Sequence, residues 1–490
     1  MQESNKDKKK AHKIKTFSVP CSFRKIKENI TIHTNNSTKP KLSEEQIINQ
    51  AFEFHEQGKI SDAAKTYQYF INQGFKDYRV FANYGSILKS FGNLNEAELS
   101  TRQAIEIKPD FAEAHSNLGN ILKDLEKLKE AEISYRKAIE LKPDFAQAYS
   151  HLGLILLQND QYDLCIKYFS KSAQLLRGQN KKEYDHKRFK TISQAKIKHD
   201  IEQFEYLASQ DYETKKFTDL AILYQKVASE ISWPSENELI VLNNKYHSLI
   251  KDSYNCLIHQ IEAPRLKQEA INNLLDVEQI TNNYFEHDFG LTYIDNFLSA
   301  TALESLRKFL LGSTIWFEIR ENGYLGAFLR EGFANPLIFQ IADELRKKFP
   351  KIFKNHPIRQ IWAFKYDSRS KNENSSLKGI NVHADQAAVN VNFWITAKGA
   401  NLNPHSGGLI VYDVVAPKDW DFKTFNANEK KIREELKKSK GNKKVIPYNE
   451  NRAVLFNSNL FHETDTYEFK EGYENRRINV TMLFGKRNNN

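Results

Sequence analysis

Apolar residues recur at helical spacing along the first third of the chain, and the pattern repeats every 34 residues. In each unit a bulky residue lies in the first helix, a pair ending in glycine and then a leucine follow it, and small residues recur in the second helix. The corresponding positions are Phe81, His115 and Tyr149; Tyr84-Gly85, Leu118-Gly119 and Leu152-Gly153; Leu88, Leu122 and Leu156; Ala97, Ala131 and Cys165; and Ala104, Ala138 and Ala173. Lysine–proline pairs end two units, at Pro109 and Pro143. The pattern predicts antiparallel helix pairs, because glycine lets two helices approach closely and proline cannot continue the second helix.

A less regular unit at residues 43–76 precedes these, so the repeats extend over residues 43–179. Over this stretch the chain resembles the tetratricopeptide repeat family. We expect an all-α superhelix, because each helix pair leaves an apolar face that only its neighbour covers, and its concave surface would bind a protein or peptide. A role as a plain spacer stays open, since a fold alone does not establish function.

Residues 180–280 carry neither the repeat nor a recognisable chemical motif. Apolar residues at helical spacing in segments 219–227 and 238–258 predict helices, so we expect a helical connector here. His199, His247 and His259 are isolated along this stretch, which favours packing or solvated roles for them.

The pattern changes after about residue 281, where aromatic and β-branched runs alternate with polar residues and are separated by glycine and asparagine. Strands are predicted at residues 358–366, 388–396, 409–414, 452–457 and 478–484, and helices at 300–311 and 336–348. Many short strands with a few helices are typical of a double-sheet jelly roll with helices packed outside. Residues 281–490 are therefore predicted to form an α+β jelly-roll domain, which makes the protein multidomain.

Composition narrows the class of protein further. Of 490 residues, 40% are apolar and 27% are charged, which is typical of globular chains. No run approaches 18 apolar residues, and the first 40 residues lack the apolar segment of a secretory signal, so we expect no membrane span. Three widely separated cysteines fit a reducing compartment, and the expected location is cytoplasmic.

The net charge of +10 is concentrated at the start of the chain, where residues 1–42 hold eleven Lys and Arg against three acidic residues. This stretch is predicted to be a disordered basic leader, although loose attachment to RNA or an anionic surface stays open. The rest of the chain has no basic stretch interleaved with aromatic residues, so no specific nucleic-acid binding is expected.

Two histidines and an aspartate form the strongest chemical motif. His383 and Asp385 are two residues apart on an extended segment, which places both side chains on one face. His462 follows directly after a hydrophobic strand. Two His and one carboxylate form the facial triad that holds Fe(II) and leaves coordination positions open, for a 2-oxo acid and for dioxygen. The three residues are therefore predicted to be iron ligands and catalytic.

An arginine on the last predicted strand could bind the distal carboxylate of such a co-substrate, because its planar fork matches a carboxylate. Alternation places Arg477, Asn479 and Thr481 on a polar face, whereas Arg476 shares its face with apolar residues. Arg477 is the preferred candidate if the polar face is internal, with Asn479 or Thr481 assisting, and Arg476 is the alternative.

Taken in order, these motifs resemble the Fe(II)/2-oxoglutarate-dependent dioxygenases, and within them the prolyl 4-hydroxylase-like branch, over residues 284–487. The resemblance also includes an entry segment at 294–299 and the Ser-Gly-Gly-Leu run at 406–409. It implies a double-stranded β-helix, Fe(II), 2-oxoglutarate, dioxygen and, as a further candidate cofactor, ascorbate. It implies hydroxylation of an unactivated C–H bond with release of succinate and carbon dioxide, and it places Tyr366 and either Asn390 or Asn392 near the co-substrate.

Two features depart from that family. The interval from His462 to Arg477 contains an apparent inserted loop at residues 468–474, and a lysine-rich stretch at 430–444 interrupts the sheet. The expected function is hydroxylation of a protein or peptide side chain recruited by the repeats. Two alternatives are an interaction scaffold with a degenerate oxygenase domain, and a cupin-like metal protein that uses the triad without 2-oxoglutarate.

Overall fold

The structure is a computed structural model that describes residues 42–178, 187–320, 322–353, 355–367 and 379–487. Apart from Leu42, the leader predicted at residues 1–42 lies outside the described residues. The chain divides into two compact units, of which the first ends at Leu152 and the second begins at Gly153. Within the described ranges, no helix combines the length and the apolar character needed to cross a bilayer.

Helical hairpins make up the first third of the chain, as the 34-residue pattern predicts. The helices are α1 Glu44–Glu56, α2 Ile60–Asn72, α3 Tyr78–Ser90, α4 Leu94–Ile107, α5 Ala112–Asp124, α6 Leu128–Leu141, α7 Ala146–Gln158 and α8 Tyr162–Arg177. Ser43 starts α1 with a capping box, in which its hydroxyl accepts from the Gln46 N–H and the Gln46 side chain accepts from the Ser43 N–H. The boundary between the two units falls inside α7.

The repeated small residues are the points of closest helix packing. Ala97 and Ala131 are fully buried. A Cβ added to Gly119 of α5 would lie 2.6 Å from Cε1 of Tyr135 in α6, so only glycine admits the ring at this distance. The Tyr135 hydroxyl donates to the Asn120 side chain at 2.9 Å. The glycine and the aromatic residue therefore form one packing unit.

The second unit continues after α8 with a mostly helical segment. Its elements are α9 Lys187–Lys190, β1 Thr191–Ile192, α10 Gln194–Ser209, α11 Thr214–Glu230, β2 Ile240–Val241, α12 Asn244–Ile250 and α13 Val277–Glu286. The predicted helix at 219–227 lies within α11. The predicted helix at 238–258 is wrong over most of its length, because Ile240 and Val241 pair with β1 and only α12 is helical. A long-range strand pairing here outweighs the local helical spacing.

The β-rich region, from Leu291 to Phe484, combines two antiparallel sheets with helices. Its elements are β3 Leu291–Ile294, α14 Ala300–Gly312, β4 Glu318–Ile319, β5 Leu325–Phe328, α15 Pro336–Lys348, α16 Pro350–Phe353, β6 Ile358–Lys365, β7 Val389–Trp394, β8 Leu409–Val415, α17 Phe422–Ala427, α18 Glu429–Ser439, β9 Lys443–Ile446, β10 Ala453–Asn457, β11 Leu460–Thr464 and β12 Ile478–Phe484. The strand order is β3-β10-β7-β12-β6-β5-β4 in one sheet and β11-β8-β9 in the other. This arrangement is compatible with a jelly roll.

The five strands and two helices predicted in this region are present, with ends that differ by at most two residues. The lysine-rich stretch at 430–444 does interrupt the strands, because it forms most of α18 and then enters β9. Strands β3, β4, β5, β9 and β11 were not predicted, since each has only two to five residues and shows too little alternation.

One apolar core lies between the two sheets. It includes Phe364, Trp394 and Phe456 from the seven-stranded sheet and Val411 and Leu460 from the three-stranded sheet. In β12, Asn479 lies opposite Trp394 of β7, and Thr481 lies opposite Asn392. Directly opposed residues share a face. The polar face of β12 therefore points into the space between the sheets, as alternation predicts.

Candidate metal centre

His383, Asp385 and His462 come together at one edge of the space between the sheets. His383 and Asp385 lie on the extended segment before β7, and His462 lies in β11. The backbones of the two histidines pair directly, with N–H to oxygen distances of 2.9 and 2.8 Å. This bridge brings together two side chains that are far apart in the sequence, and their ring centroids are 4.3 Å apart.

The three side chains have the spacing of a metal site. One ligand atom from each lies within 4.8 Å of the other two. Nε2 of His383 is 3.8 Å from Oδ1 of Asp385, and Nε2 of His462 is 3.5 Å from Oδ2. These separations exceed a direct hydrogen bond and are short enough for one cation to contact all three atoms. The donor set of two imidazoles and one carboxylate fits the Fe(II) facial triad.

Backbone carbonyls set the orientation of both imidazoles. Nδ1 of His383 is 2.8 Å from the Asn381 carbonyl oxygen, and Nδ1 of His462 is 3.0 Å from that of Leu460. A carbonyl oxygen only accepts, so Nδ1 carries a proton in each ring, and the lone pair of each neutral imidazole is then on Nε2. Each Nε2 lies on the Asp385 side of its ring. Both histidines are therefore held as metal ligands normally are.

The charge states also suit a cation. Burial and the neighbouring His462 lower the pKa of His383 to about 4, although Asp385 opposes this shift. Burial by itself would raise the pKa of Asp385, but contacts with His462, His383 and Asn390 outweigh it, and the pKa lies below its usual value. Asn390 of β7 donates to Oδ2 of Asp385 at 2.6 Å. At neutral pH, Asp385 is a carboxylate and His383 is a neutral imidazole, the forms that bind a metal.

Arg477 lies on the inner face and is 1% exposed. Its Nε donates to the Gly407 carbonyl at 2.8 Å, and its Nη2 donates to the Gly408 carbonyl at 3.1 Å. The guanidinium is 4.6 Å from the ring centroid of Tyr366. Gly407 has a φ of +85°, and a Cβ on Gly408 would lie 1.9 Å from the Ile446 carbonyl oxygen. Glycine at both positions lets two carbonyls face the arginine.

A row of polar side chains extends from Arg477 along the inner face. Nη1 of Arg477 donates to Asn479 at 3.3 Å, and the Asn479 amide donates to Oγ1 of Thr481 at 3.2 Å. The Asn392 amide donates to the same hydroxyl at 3.0 Å. Asn390, the partner of Asp385, lies two residues from Asn392 on the same face of β7. The sequence does not decide which of Asn390 and Asn392 lies near the co-substrate. In the structure Asn390 contacts Asp385 of the triad, and Asn392 contacts Thr481.

Four buried polar atoms on this inner face have no hydrogen-bond partner among the described residues. They are the amide oxygens of Asn390 and Asn392 and the indole nitrogens of Trp362 and Trp394. Buried polar atoms are normally paired, so the space suits a small molecule that offers both donors and acceptors. Arg477 adds a buried cation at the same face. A buried cation beside unpaired donors and acceptors fits an organic anion such as a 2-oxo dicarboxylate, whereas the three ligand atoms of His383, Asp385 and His462 fit a metal ion.

Arg476, the alternative carboxylate binder, has a different environment. Its Nε is 2.7 Å from the Glu202 carboxylate of α10, and its Nη1 is 3.3 Å from Asp367. The side chain is 3% exposed and lies on the opposite face of β12 from Arg477. Two carboxylates of the protein already contact Arg476, so Arg477 is the better placed of the two for a bound dicarboxylate.

Sequence reasoning missed the groups that support these side chains. Gly407 and Gly408 belong to the Ser-Gly-Gly-Leu run of the resemblance, but the sequence assigns them no role, and in the structure their carbonyls hold Arg477. The carbonyls of Asn381 and Leu460 could not be found, because every residue has one. A signal was available for the glycines, since a Gly-Gly pair before a buried strand often indicates close backbone approach.

Comparisons with known proteins concern the helical part of the chain. Family models described as TPR repeat match residues 119–160, and models described as Tetratricopeptide repeat match residues 78–111 and 146–175. The N-terminal region therefore contains tetratricopeptide repeats, which indicate a protein or peptide partner. These matches lie outside the β-rich region. No curated protein gives a significant match.

Several solved structures are similar over about a quarter of the chain. MamA is 23% identical over 26% of this chain and 75% of its own, with a TM-score of 0.26. YrrB, a TPR protein with an unusual peptide-binding site, is 16% identical over 27% of this chain and 68% of its own, with a TM-score of 0.25. The first TPR of Spaghetti (RPAP3), bound to an HSP90 peptide, is 22% identical over 23% of this chain and 89% of its own, with a TM-score of 0.22.

Proposed function

We propose that the protein is an Fe(II)- and 2-oxoglutarate-dependent dioxygenase of the prolyl 4-hydroxylase-like branch, which hydroxylates a side chain of a protein or peptide. The observation that carries this proposal is the convergence of His383, Asp385 and His462, with both Nε2 atoms on the Asp385 side. The two antiparallel sheets with a shared core support a double-stranded β-helix as the fold of the β-rich region.

In this proposal His383, Asp385 and His462 would hold Fe(II), because their ligand atoms come together where His383 pairs with His462. The carbonyls of Asn381 and Leu460 keep both imidazoles in the required tautomer, and Asn390 orients the carboxylate of Asp385. When bound, iron and 2-oxoglutarate supply the oxidising chemistry: one atom of dioxygen enters succinate, the other enters the substrate hydroxyl, and carbon dioxide is released. Ascorbate would serve only as an auxiliary reductant.

Arg477 binds the distal carboxylate of 2-oxoglutarate in the same proposal. Its burial strengthens the ion pair, because little water competes for the charge. Asn479, Thr481 and Asn392 form the polar side of the binding space, and the Tyr366 ring packs against the guanidinium and restricts its movement. A cupin-like metal protein would not need this buried arginine.

The tetratricopeptide repeats support a polypeptide as the substrate. Helical repeats of this kind present an extended surface that suits a peptide or protein partner better than a small metabolite. The repeats would raise the local concentration of the polypeptide near the triad, and the β-rich region would carry out the reaction.

The test is an anaerobic titration of the Fe(II)-loaded protein with 2-oxoglutarate, followed by visible absorption. A 2-oxo acid chelated to Fe(II) gives a weak charge-transfer band, so we expect the band in the parent protein and its loss in the His383→Ala variant. A protein that binds iron and shows no band would contradict the proposal. A parent that binds no iron would favour an interaction scaffold with a degenerate oxygenase domain.

A further inference from the structure

The segment between β8 and β9, residues 416–442, lies directly behind the candidate metal centre. Side chains alternate along the two strands that carry the ligands, so the neighbours of the ligands point away from the space between the sheets. Val382, Ala384 and Phe461 are three of these neighbours, and all three are buried. They share one apolar cluster with α17 and α18, which contribute Phe425, Ile432 and Leu436.

Helix α17 also bonds to the backbone between two ligands. The N–H of Ala384 donates to the Phe425 carbonyl at 2.9 Å, and the Asn426 side chain donates to the Ala384 carbonyl at 3.0 Å. Ala384 separates His383 from Asp385. Both polar backbone groups of this residue are therefore held by α17, which fixes the peptide units that aim the two ligand side chains.

Helix α18 holds the third ligand strand through an ion pair. Arg433 reaches Glu463, the residue after His462, with Nη2 to Oε2 at 2.5 Å and Nη1 to Oε1 at 2.9 Å. The Tyr412 hydroxyl of β8 also donates to Glu463. A two-point contact of this kind restricts rotation of the Glu463 side chain and of the strand at His462.

We propose that residues 416–442 are a positioning element for the metal centre and that Arg433 is a positioning residue within it. This inference rests on the proposed metal-binding function. The segment contacts the backbone or the neighbouring side chains of all three ligands and touches none of the ligand atoms named above. Groups that orient metal ligands typically change metal affinity when they are removed, even though they do not bind the metal.

A purely structural role predicts a different result. The Arg433 side chain is 37% exposed and also pairs with Glu429 of α18, while that of Glu463 is 14% exposed, so water screens part of the Arg433–Glu463 ion pair and its contribution to overall stability is modest. Removing Arg433 should therefore change metal geometry more than overall stability. A matched control is the Arg136–Glu132 pair of α6, whose side chains are 43% and 22% exposed.

The experiment uses full-length protein and Co(II) alone, whose visible d–d absorption reports coordination geometry. We expect Arg433→Met to weaken Co(II) binding by about tenfold and to change the band shape, as for other residues that orient metal ligands. Arg433→Lys should recover part of the Co(II) affinity and part of the parent band shape. Arg136→Met should leave the Co(II) affinity and the band shape unchanged. Thermal unfolding of the metal-free Arg433→Met and Arg136→Met variants should shift by similar amounts.

Parent-like affinity and absorption in Arg433→Met would overturn the inference. So would weaker binding with an unchanged band and a much lower unfolding temperature than in Arg136→Met, because that result describes lost stability only. Failure of the parent to bind Co(II), or parent-like binding in His383→Ala, would instead contradict the metal-binding proposal itself. The parent and His383→Ala are therefore measured first.

Discussion

Residues that touch in the helical repeats are close in the sequence, whereas residues that meet at the candidate metal centre are far apart. Gly119 packs on Tyr135 of the next helix, and the same spacing recurs between Gly85 and Thr101 and between Gly153 and Phe169. His383 meets His462 only because two strands pair across the fold. A local pattern therefore identifies the repeats, while the site depends on topology that the local pattern does not contain.

The same difference appears in how each region uses glycine. Gly119 makes room for the side chain of an aromatic residue, which can move when the space is filled. Gly408 lies against the backbone of Ile446, which is held in a sheet and cannot move independently. In the repeats glycine permits packing between helices, and in the β-rich region it turns a carbonyl toward Arg477.

The largest expected effect tests whether the candidate metal centre, whose ligands are far apart in the sequence, binds a metal. His462→Ala should weaken Fe(II) or Co(II) binding by more than about 100-fold, because loss of a supporting group alone already costs about 10- to 100-fold. Equilibrium titration under anaerobic conditions measures this. The control is His115→Ala in α5, whose ring contacts the Pro109 carbonyl at 2.9 Å and should not influence metal binding. Equal affinity in both variants would remove His462 from the ligand set.

The next effect separates Arg476 and Arg477, the two neighbouring arginines directly before β12. Arg477→Gln should weaken 2-oxoglutarate binding by about 100-fold, because it removes one partner of a buried charge pair, while metal affinity stays near the parent value. Arg476→Gln should leave 2-oxoglutarate affinity within about twofold and lower stability by about 3 kcal/mol, since Asp367 and Glu202 lose their partner. Calorimetric titration and thermal unfolding provide the two readouts. If Arg476 is the residue that binds the carboxylate, Arg476→Gln should weaken 2-oxoglutarate binding and Arg477→Gln should not.

How far the sequence predicts the fold depends on the length of each element. Strand β12 and helix α15 have the predicted ends, because each is long enough to show several periods of its pattern. The helix predicted at 238–258 is mostly wrong, since Ile240 and Val241 pair with a distant strand. Strands such as β4, with two residues, carry no periodic signal at all.

How far the sequence predicts the site depends on the kind of atom that forms it. His383, Asp385 and His462 have side chains whose chemistry is specific, so their spacing and order point to them in the sequence, whereas Arg476 and Arg477 stay alternatives there and differ only in their structural environment. The supports of the site residues are backbone carbonyls, which every residue has, and the Arg433–Glu463 ion pair, whose partners are 30 residues apart in the sequence. The iron and the 2-oxoglutarate assigned to these residues stay predictions, which the titrations above address.

Substitution of Gly119 or Gly408 should have a smaller effect, a loss of stability that can be measured separately in each unit. All five tryptophans lie from residue 233 onward, so tryptophan fluorescence reports the second unit, while far-UV circular dichroism includes both. Gly119→Ala should cost about 1–3 kcal/mol through overpacking and lower the dichroism transition without moving the fluorescence transition. Gly408→Ala should move the fluorescence transition. Loss of both signals together in Gly119→Ala would contradict this separation.

The smallest effect concerns pH and the repeats. His55 is 5% exposed, and burial lowers its pKa to about 4. The unfolded chain binds a proton near pH 6.5, so stability is complete above that pH and falls as the pH decreases toward 4. Between pH 7 and pH 5 the repeats should lose about 2 kcal/mol from this residue, and His55→Phe should abolish that part of the slope. The measurement is the difference between the two proteins in the dichroism transition at each pH. Parallel pH slopes would mean that His55 is protonated equally in the folded and unfolded states, and acid sensitivity of the repeats would then come from surface ion pairs.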